Sequence, residues 1–261
     1  MKTTTKGKGG LIELAKTIVY ALLLAGLIRT LFFQPFWIPS GSMKPTLLIG
    51  DFLFVNKMAY GYSRHSCPFS MCPFEGRIFA SDPERGDVVV FKHPVTGTDF
   101  IKRVVGLPGD TVQMIDGVLH VNGDAWAQEE IEPFVQVYEV QGPMRSLPRC
   151  ANAPVPPGGD CIKEQLVETR PDGASHLVLN IDHGFGDNTM PAVVPEGEFF
   201  FIGDNRDNSM DSRFPRHAGG VGTVPIELLV GRADRVVFSS AGTSMLAFWT
   251  WRPDRFFVRI E

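Results

Sequence analysis

Beyond its first few residues the chain has no run rich in lysine and arginine, and its formal charge is -4. That excludes nucleic acid as a main partner, because such partners demand a basic patch or stripe. Cysteines are few, four in 261 residues, and none has Cys-x-x-Cys spacing. No histidine is placed to complete a zinc set, so the sequence implies no metal. The cysteines fall in two close pairs, Cys67/Cys72 and Cys150/Cys161. Local disulfides in an oxidising compartment explain such pairs better than metal does. Spacing does not fix connectivity, and free thiols are the alternative. No Gly-x-Ser-x-Gly elbow surrounds Ser42, and none of the six histidines stands in a comparably marked context. This argues against a Ser-His-Asp hydrolase. There is no internal repeat of fixed period. With 44% hydrophobic residues, the chain can bury one sizeable core or two small ones.

What the chain does have begins with a polar, basic tail at residues 1–10, carrying Lys2, Lys6 and Lys8. An apolar segment follows from Leu11 to Phe36. Its uninterrupted core, Thr17 to Ile28, falls short of the about 20 residues that cross a bilayer. Extension to Phe33 reaches that length if Lys16 and Arg29 snorkel to the two interfaces. Phe32, Phe33, Phe36 and Trp37 gather at the far end as an interfacial belt, and the basic tail sets the N-terminus in the cytoplasm. Leu31 to Trp37 offers no small-x-small cleavage site, so the segment reads as an uncleaved transmembrane anchor over 11–36 rather than a removed signal peptide.

Next comes Pro39-Ser40-Gly41-Ser42-Met43-Lys44-Pro45-Thr46. Gly41 frees the backbone, and the two prolines stiffen the turn from either side. Ser42 is thus held on a short segment just outside the membrane. Serine is unreactive without a base, and alone the stretch reads as an ordinary loop.

Past this turn helical periodicity largely disappears. Strands are expected at Asp51–Asn56, Asp87–Lys92, Phe100–Val105, Thr111–Ile115, Val118–Val121, Glu198–Ile202 and Arg232–Phe238. Asp116-Gly117 between two apolar runs signals a hairpin. Residues 60–85 read as a long loop, and 122–197 as loose, Pro- and Gly-rich chain. Many short strands with turns between them indicate a mainly antiparallel β protein on one N-terminal helix.

The base candidate is Lys102, in Phe100-Ile101-Lys102-Arg103-Val104-Val105. Alternation places Phe100, Lys102 and Val104 on one face. Both faces are largely apolar, so one of the two cations points into a desolvated place. Desolvation lowers a lysine's pKa and makes the amine a competent base, whereas arginine stays charged. The bland alternative is a lysine snorkelling to the sheet edge. A third polar cluster, Gly203-Asp204-Asn205-Arg206-Asp207-Asn208-Ser209-Met210-Asp211-Ser212-Arg213, follows the most apolar strand. Asp211 and Arg213 are placed to pair, and Ser209 to orient a neighbour. An EF-hand fails here for want of its glycine and closing glutamate.

Four blocks together resemble the bacterial type I signal peptidases, membrane-bound Ser/Lys endopeptidases. They are Pro39 to Leu47, Arg85 to Phe91, Ile101 to Asp110 and Gly203 to Arg213, in the family's order behind an anchor. The resemblance covers roughly residues 15–121 and 195–240. It implies Ser42 as nucleophile, Lys102 as general base, Ser40 as the hydroxyl that joins the Ser42 N–H in an oxyanion hole, and Ser209 as the group that orients the lysine. It implies a supporting Asp211–Arg213 ion pair. Phe36, Ile38, Pro39, Leu47, Phe100, Ile101 and Met210 match positions lining shallow pockets for small side chains. Phe100 stands where tyrosine is often found, and Met210 where a smaller residue is common, so Met210 narrows a pocket. The implied fold is an antiparallel β catalytic core at 37–110 and 198–261, interrupted by a variable β-rich insert at 111–197. The resemblance implies removal of signal peptides from preproteins after Ala-x-Ala-like sites, without a cofactor. The enzyme would sit in the inner membrane, its catalytic part on the periplasmic side, with lipid and the export translocase as neighbours. A self-cleaving repressor of related fold would be soluble and carry a DNA-binding domain. A non-catalytic, membrane-anchored β-rich binding protein is the remaining rival.

Overall fold

The computed structural model describes residues 7–67, 70, 72–242 and 244–260. An α-helix runs from Gly7 to Leu31. Its stretch Gly10–Leu31 is long and apolar enough to cross a membrane, with mean hydropathy 2.0 and none of it buried against the protein. Of the tail expected at 1–10, residues 1–6 lie outside the described residues. The anchor was expected to reach Phe36. Instead the helix stops at Leu31, and Phe33–Trp37 forms a strand paired antiparallel with Asp51–Asn56. Pro35 cannot donate to a helical ladder but is tolerated on a sheet edge, which is where this strand lies.

The main sheet has eight strands. Its path runs Phe33–Trp37, Asp51–Asn56, Leu229–Ser239, Val88–Lys92, Asp99–Gly106, Glu198–Ile202 and Val224–Pro225, with Val258–Arg259 also paired to Leu229–Ser239. Side chains alternate across it. Val88 and Val90 join Ile38, Met43, Leu47, Leu53, Val55 and Val236 in one core, while Val89 and Phe91 join Val104, Phe199 and Phe201 in another. The sheet is therefore covered on both faces, which is why Asp99–Gly106 reads as apolar on both sides. The strand can hide a cation only by giving it a partner.

Beyond this sheet, Tyr62–Ser63 pairs with Arg77–Ile78 inside the stretch read as a long loop, and the other strands fall between 111 and 193. Thr111–Ile115, Val118–Val121, Asp124–Ala125 and Ala192–Val193 form a four-stranded sheet around Trp126, Met114 and Leu119. At the Asp116-Gly117 hairpin both residues take positive φ, 46° and 79°, as a tight turn of this kind requires. Ala127–Val137, Asp160–Thr169 and Ser175–Asn180 form a three-stranded ribbon. This corrects the expectation of loose chain at 122–197. Ala127–Val137 is mostly exposed and rich in Glu and Gln, with a register shift around Pro133, so it carries no apolar alternation to read. Both cysteine pairs, Cys67–Cys72 and Cys150–Cys161, are closed disulfides.

Candidate active site

The Ser42 turn is the loop of the edge hairpin. Ile38 and Asp51 extend the pairing of Phe33–Trp37 with Asp51–Asn56, through Ile38 N–H to the Asp51 carbonyl and Gly50 N–H to the Ile38 carbonyl. Met43 and Leu47, both wholly buried, pin the loop into the core. The Gly203–Asn205 segment latches it from the other side. Asn205 N–H donates to the Ser42 carbonyl at 3.1 Å, and Asn205 Nδ2 to the Gly41 carbonyl at 2.8 Å. A Cβ on Gly203 would collide with Ser209 Oγ and the Ser42 carbonyl, so only glycine permits this approach.

Lys102 Nζ donates to Ser42 Oγ at 2.6 Å and to the Ile101 carbonyl at 2.9 Å. Only 3% of Lys102 is exposed. Burial brings its amine down to about 8; Asp211 and Asp204 oppose that shift and Arg213 adds to it. The snorkelling alternative is thereby set aside. Among the described residues nothing accepts the Ser42 N–H, and the Ser40 side chain is exposed beside it. Both are thus open to receive an oxyanion.

Two buried ion pairs stand behind Ser42 and Lys102. Arg213 clasps Asp211 through Nε at 2.9 Å and through its second nitrogen at 3.0 Å, and Asp211 also accepts the Gly203 N–H. Arg103 holds Asp204 by two bonds, at 2.9 and 2.8 Å, and also reaches the Gly86 carbonyl. Thr46 Oγ1 donates to the same Asp204. Burial alone would raise both carboxyls; the arginines outweigh it and hold them below the usual carboxylate range. Arg103 and Asp204 therefore tie together residues from all four blocks read in the sequence. Neither was singled out there, because a buried salt link has no sequence signature of its own.

An apolar groove of about 520 Å³ opens at Ser42 and Lys102. Of the residues expected to line it, Phe36, Ile38, Pro39, Phe100, Ile101 and Met210 do so, joined by Met144 from the insert. Leu47 does not. It is fully buried in the core beneath the turn, since the loop turns its apolar side inward. Ser209 also departs from expectation. Its Oγ is buried and makes no hydrogen bond to Lys102, whose amine is occupied by Ser42 and its own strand carbonyl. A larger cavity of about 670 Å³, lined by Arg85, Arg170, Arg232 and neighbours, lies away from Ser42.

A family model described as signal peptidase, peptidase S26, matches residues 11–238. The signal peptidase I of Rickettsia typhi is 37% identical over 235 residues, covering 86% of this chain and 79% of that protein. That of Rickettsia prowazekii is 36% identical over the same length, with the same coverage. A crystal structure of a signal peptidase I from Enterococcus faecalis is 25% identical, with a TM-score of 0.30, covering 58% of this chain and 97% of that one. Site, family and relatives together define the class as a serine peptidase, a hydrolase. Within that class the chain belongs to the signal peptidase I family, peptidase S26. Its apolar N-terminal helix fits a membrane-anchored member.

Proposed function

We propose that this protein removes N-terminal signal peptides from exported preproteins, cutting after Ala-x-Ala-like sites through Ser42, Lys102 and an acyl-enzyme. The observation that carries the reading is the 2.6 Å contact between Lys102 Nζ and Ser42 Oγ in a buried setting. Neutral Lys102 takes the Ser42 proton as the oxygen attacks the scissile carbonyl. The Ser42 N–H and the Ser40 hydroxyl receive the oxyanion. As the carbon–nitrogen bond breaks, protonated Lys102 returns its proton to the leaving amine. Water, deprotonated by Lys102, then releases the signal peptide from Ser42. Ser209 supports the site as packing for Gly203 and Ser42, and Asp211–Arg213 as a fixed charge pair.

In this reading 37–110 and 198–261 make the catalytic core and 111–197 the insert. The helix holds the core on the periplasmic side of the inner membrane, near the export translocase. Anchoring enzyme and preprotein to one surface raises their effective concentration. Phe248, Trp249 and Phe257 are largely exposed, whereas Trp251 packs on Phe238 at 4.6 Å. The exposed rings supply a lipid-facing surface.

The test is cleavage of a preprotein or an Ala-x-Ala peptide by the full chain across pH. Only the neutral amine is a base, so kcat/KM should rise with pH and level off above about 8, the value to which burial brings Lys102. A flat profile from pH 6 to 9 would mean that Lys102 is not the titrating base, and no cleavage at all would return the chain to the binding-protein reading. Met210 contributes to the groove wall. Met210→Ala should raise kcat/KM for a substrate with valine in place of a recognition alanine by about tenfold. Unchanged discrimination would remove Met210 from the pocket.

A further inference from the structure

Ser42 stands between two cavities of opposite character. One is the apolar groove. The other, of about 210 Å³, is lined by Ser40, Gly41 and Ser42 on one side and by Lys44, Gln136, Gln141 and Lys163 on the other. Among the described residues no carboxylate lines it. Lys44 Nζ donates to Gln141 Oε1 at 2.7 Å and to Gln136 Oε1. Both acceptors are neutral, and an ammonium has three donors. Lys163 comes from the insert strand Asp160–Thr169 and is only 1% exposed. No described residue accepts a hydrogen bond from Lys163 Nζ or forms an ion pair with it. An amine on so buried a residue, without a protein acceptor, is satisfied only from the cavity it borders. Here the missing acceptor lies on the cavity side, beside the nucleophile.

We propose that this cavity is a subsite for an acidic side chain, Asp or Glu, among the first residues after the cut, with Lys163 and Lys44 as its carboxylate donors. The inference rests on the peptidase reading of Ser42 and Lys102. An extended substrate lays the residues before the cut in the apolar groove and its scissile carbonyl on Ser42. The chain that continues past Ser42 leaves the groove and meets the polar cavity. A carboxylate there gives both amines the charged acceptor they lack. Burial, and for Lys44 the nearby charge of Lys163, brings the amines down to about 7 for Lys44 and about 8 for Lys163 in the empty site. An anionic occupant favours their charged forms. The insert thereby takes part in choosing substrates.

The experiment uses the full chain in detergent and fluorogenic Ala-x-Ala peptides carrying Asp, Asn or Lys at each of the first two positions after the cut. At one of them Asp should exceed Asn in kcat/KM by about tenfold, the scale of a charge-assisted hydrogen bond, and Lys should fall below Asn. The Asp/Asn ratio should drop toward one in Lys163→Gln, fall in Lys44→Met, and persist in Lys163→Arg. Because both peptides are read on the same enzyme, a smaller folded fraction cancels. An Asp/Asn ratio of one in the unaltered protein overturns the subsite while leaving the peptidase standing. A ratio unmoved by Lys163→Gln does the same. Failure to cut any peptide overturns the peptidase reading and the subsite with it.

Discussion

Replacing Ser42 by alanine is expected to lower kcat/KM on an Ala-x-Ala peptide by about 10⁴-fold or more, and Lys102→Met should cost within about tenfold of the same amount. In the proposed mechanism the two groups act on one proton. Without the hydroxyl the amine has nothing to deprotonate, and without the amine the hydroxyl is an ordinary alcohol. The losses should therefore not add, and the double variant should be no worse than the poorer single one. Lys102→Met is the informative member. It replaces a buried, desolvated amine by an apolar chain of similar length, so the fold should keep or gain stability while activity disappears. Circular dichroism and thermal melting separate these outcomes from misfolding. Residual activity within tenfold of the unaltered protein in Lys102→Met would mean that the base is another residue. Lys44 is then the next amine to test, being buried in the same turn and brought down to about 7.

Some strands could be read in the sequence almost to the residue. Thr111–Ile115, Val118–Val121 and Glu198–Ile202 are runs of apolar or alternating residues bounded by glycine or charge, and the structure has them at those limits. Phe33–Trp37 was not readable as a strand. It is as apolar as the helix before it, and only its pairing with Asp51–Asn56 separates the two. The ribbon Ala127–Val137 with Asp160–Thr169 was hidden for the opposite reason. It is held by backbone pairing over many residues, and on Ala127–Val137 most side chains face water without a repeating apolar face. The site divides in the same way. Ser42 and Lys102 sit in short local motifs, and their 2.6 Å contact bridges 60 positions of sequence. Lys163, Gln136 and Met144 reach the site from the insert, and no local pattern marks them. Leu47 was expected at the groove because it lies in the motif. Its place in the core shows that motif membership includes residues that hold the turn as well as those that face substrate.

The largest effect on stability should come from the Arg103–Asp204 pair, whose side chains are each 2% exposed. Asp204→Ala leaves the Arg103 guanidinium buried without its carboxylate and takes the acceptor from Thr46. Breaking such a pair costs about 3–5 kcal/mol, which for a chain of this size lowers Tm by about 6–20 °C. Removing both charges should behave differently. Arg103→Met with Asp204→Leu leaves no buried charge without its partner and should recover most of the lost stability, because apolar replacement of a buried pair is often neutral. Activity should not return with it. Asp204 precedes Asn205, which latches the carbonyls of Gly41 and Ser42, and Thr46 ties the far side of the same turn to that carboxylate. Without the charge pair the turn keeps its core anchors, Met43 and Leu47, but loses the link that sets its distance from Lys102. Melting of the full chain in detergent, set beside kcat/KM for the two variants, tests both halves. A double variant as unstable as Asp204→Ala would mean that the site tolerates no apolar filling. One that regained full activity would mean that the pair only stabilises the fold and that Asn205 alone holds the nucleophile in place.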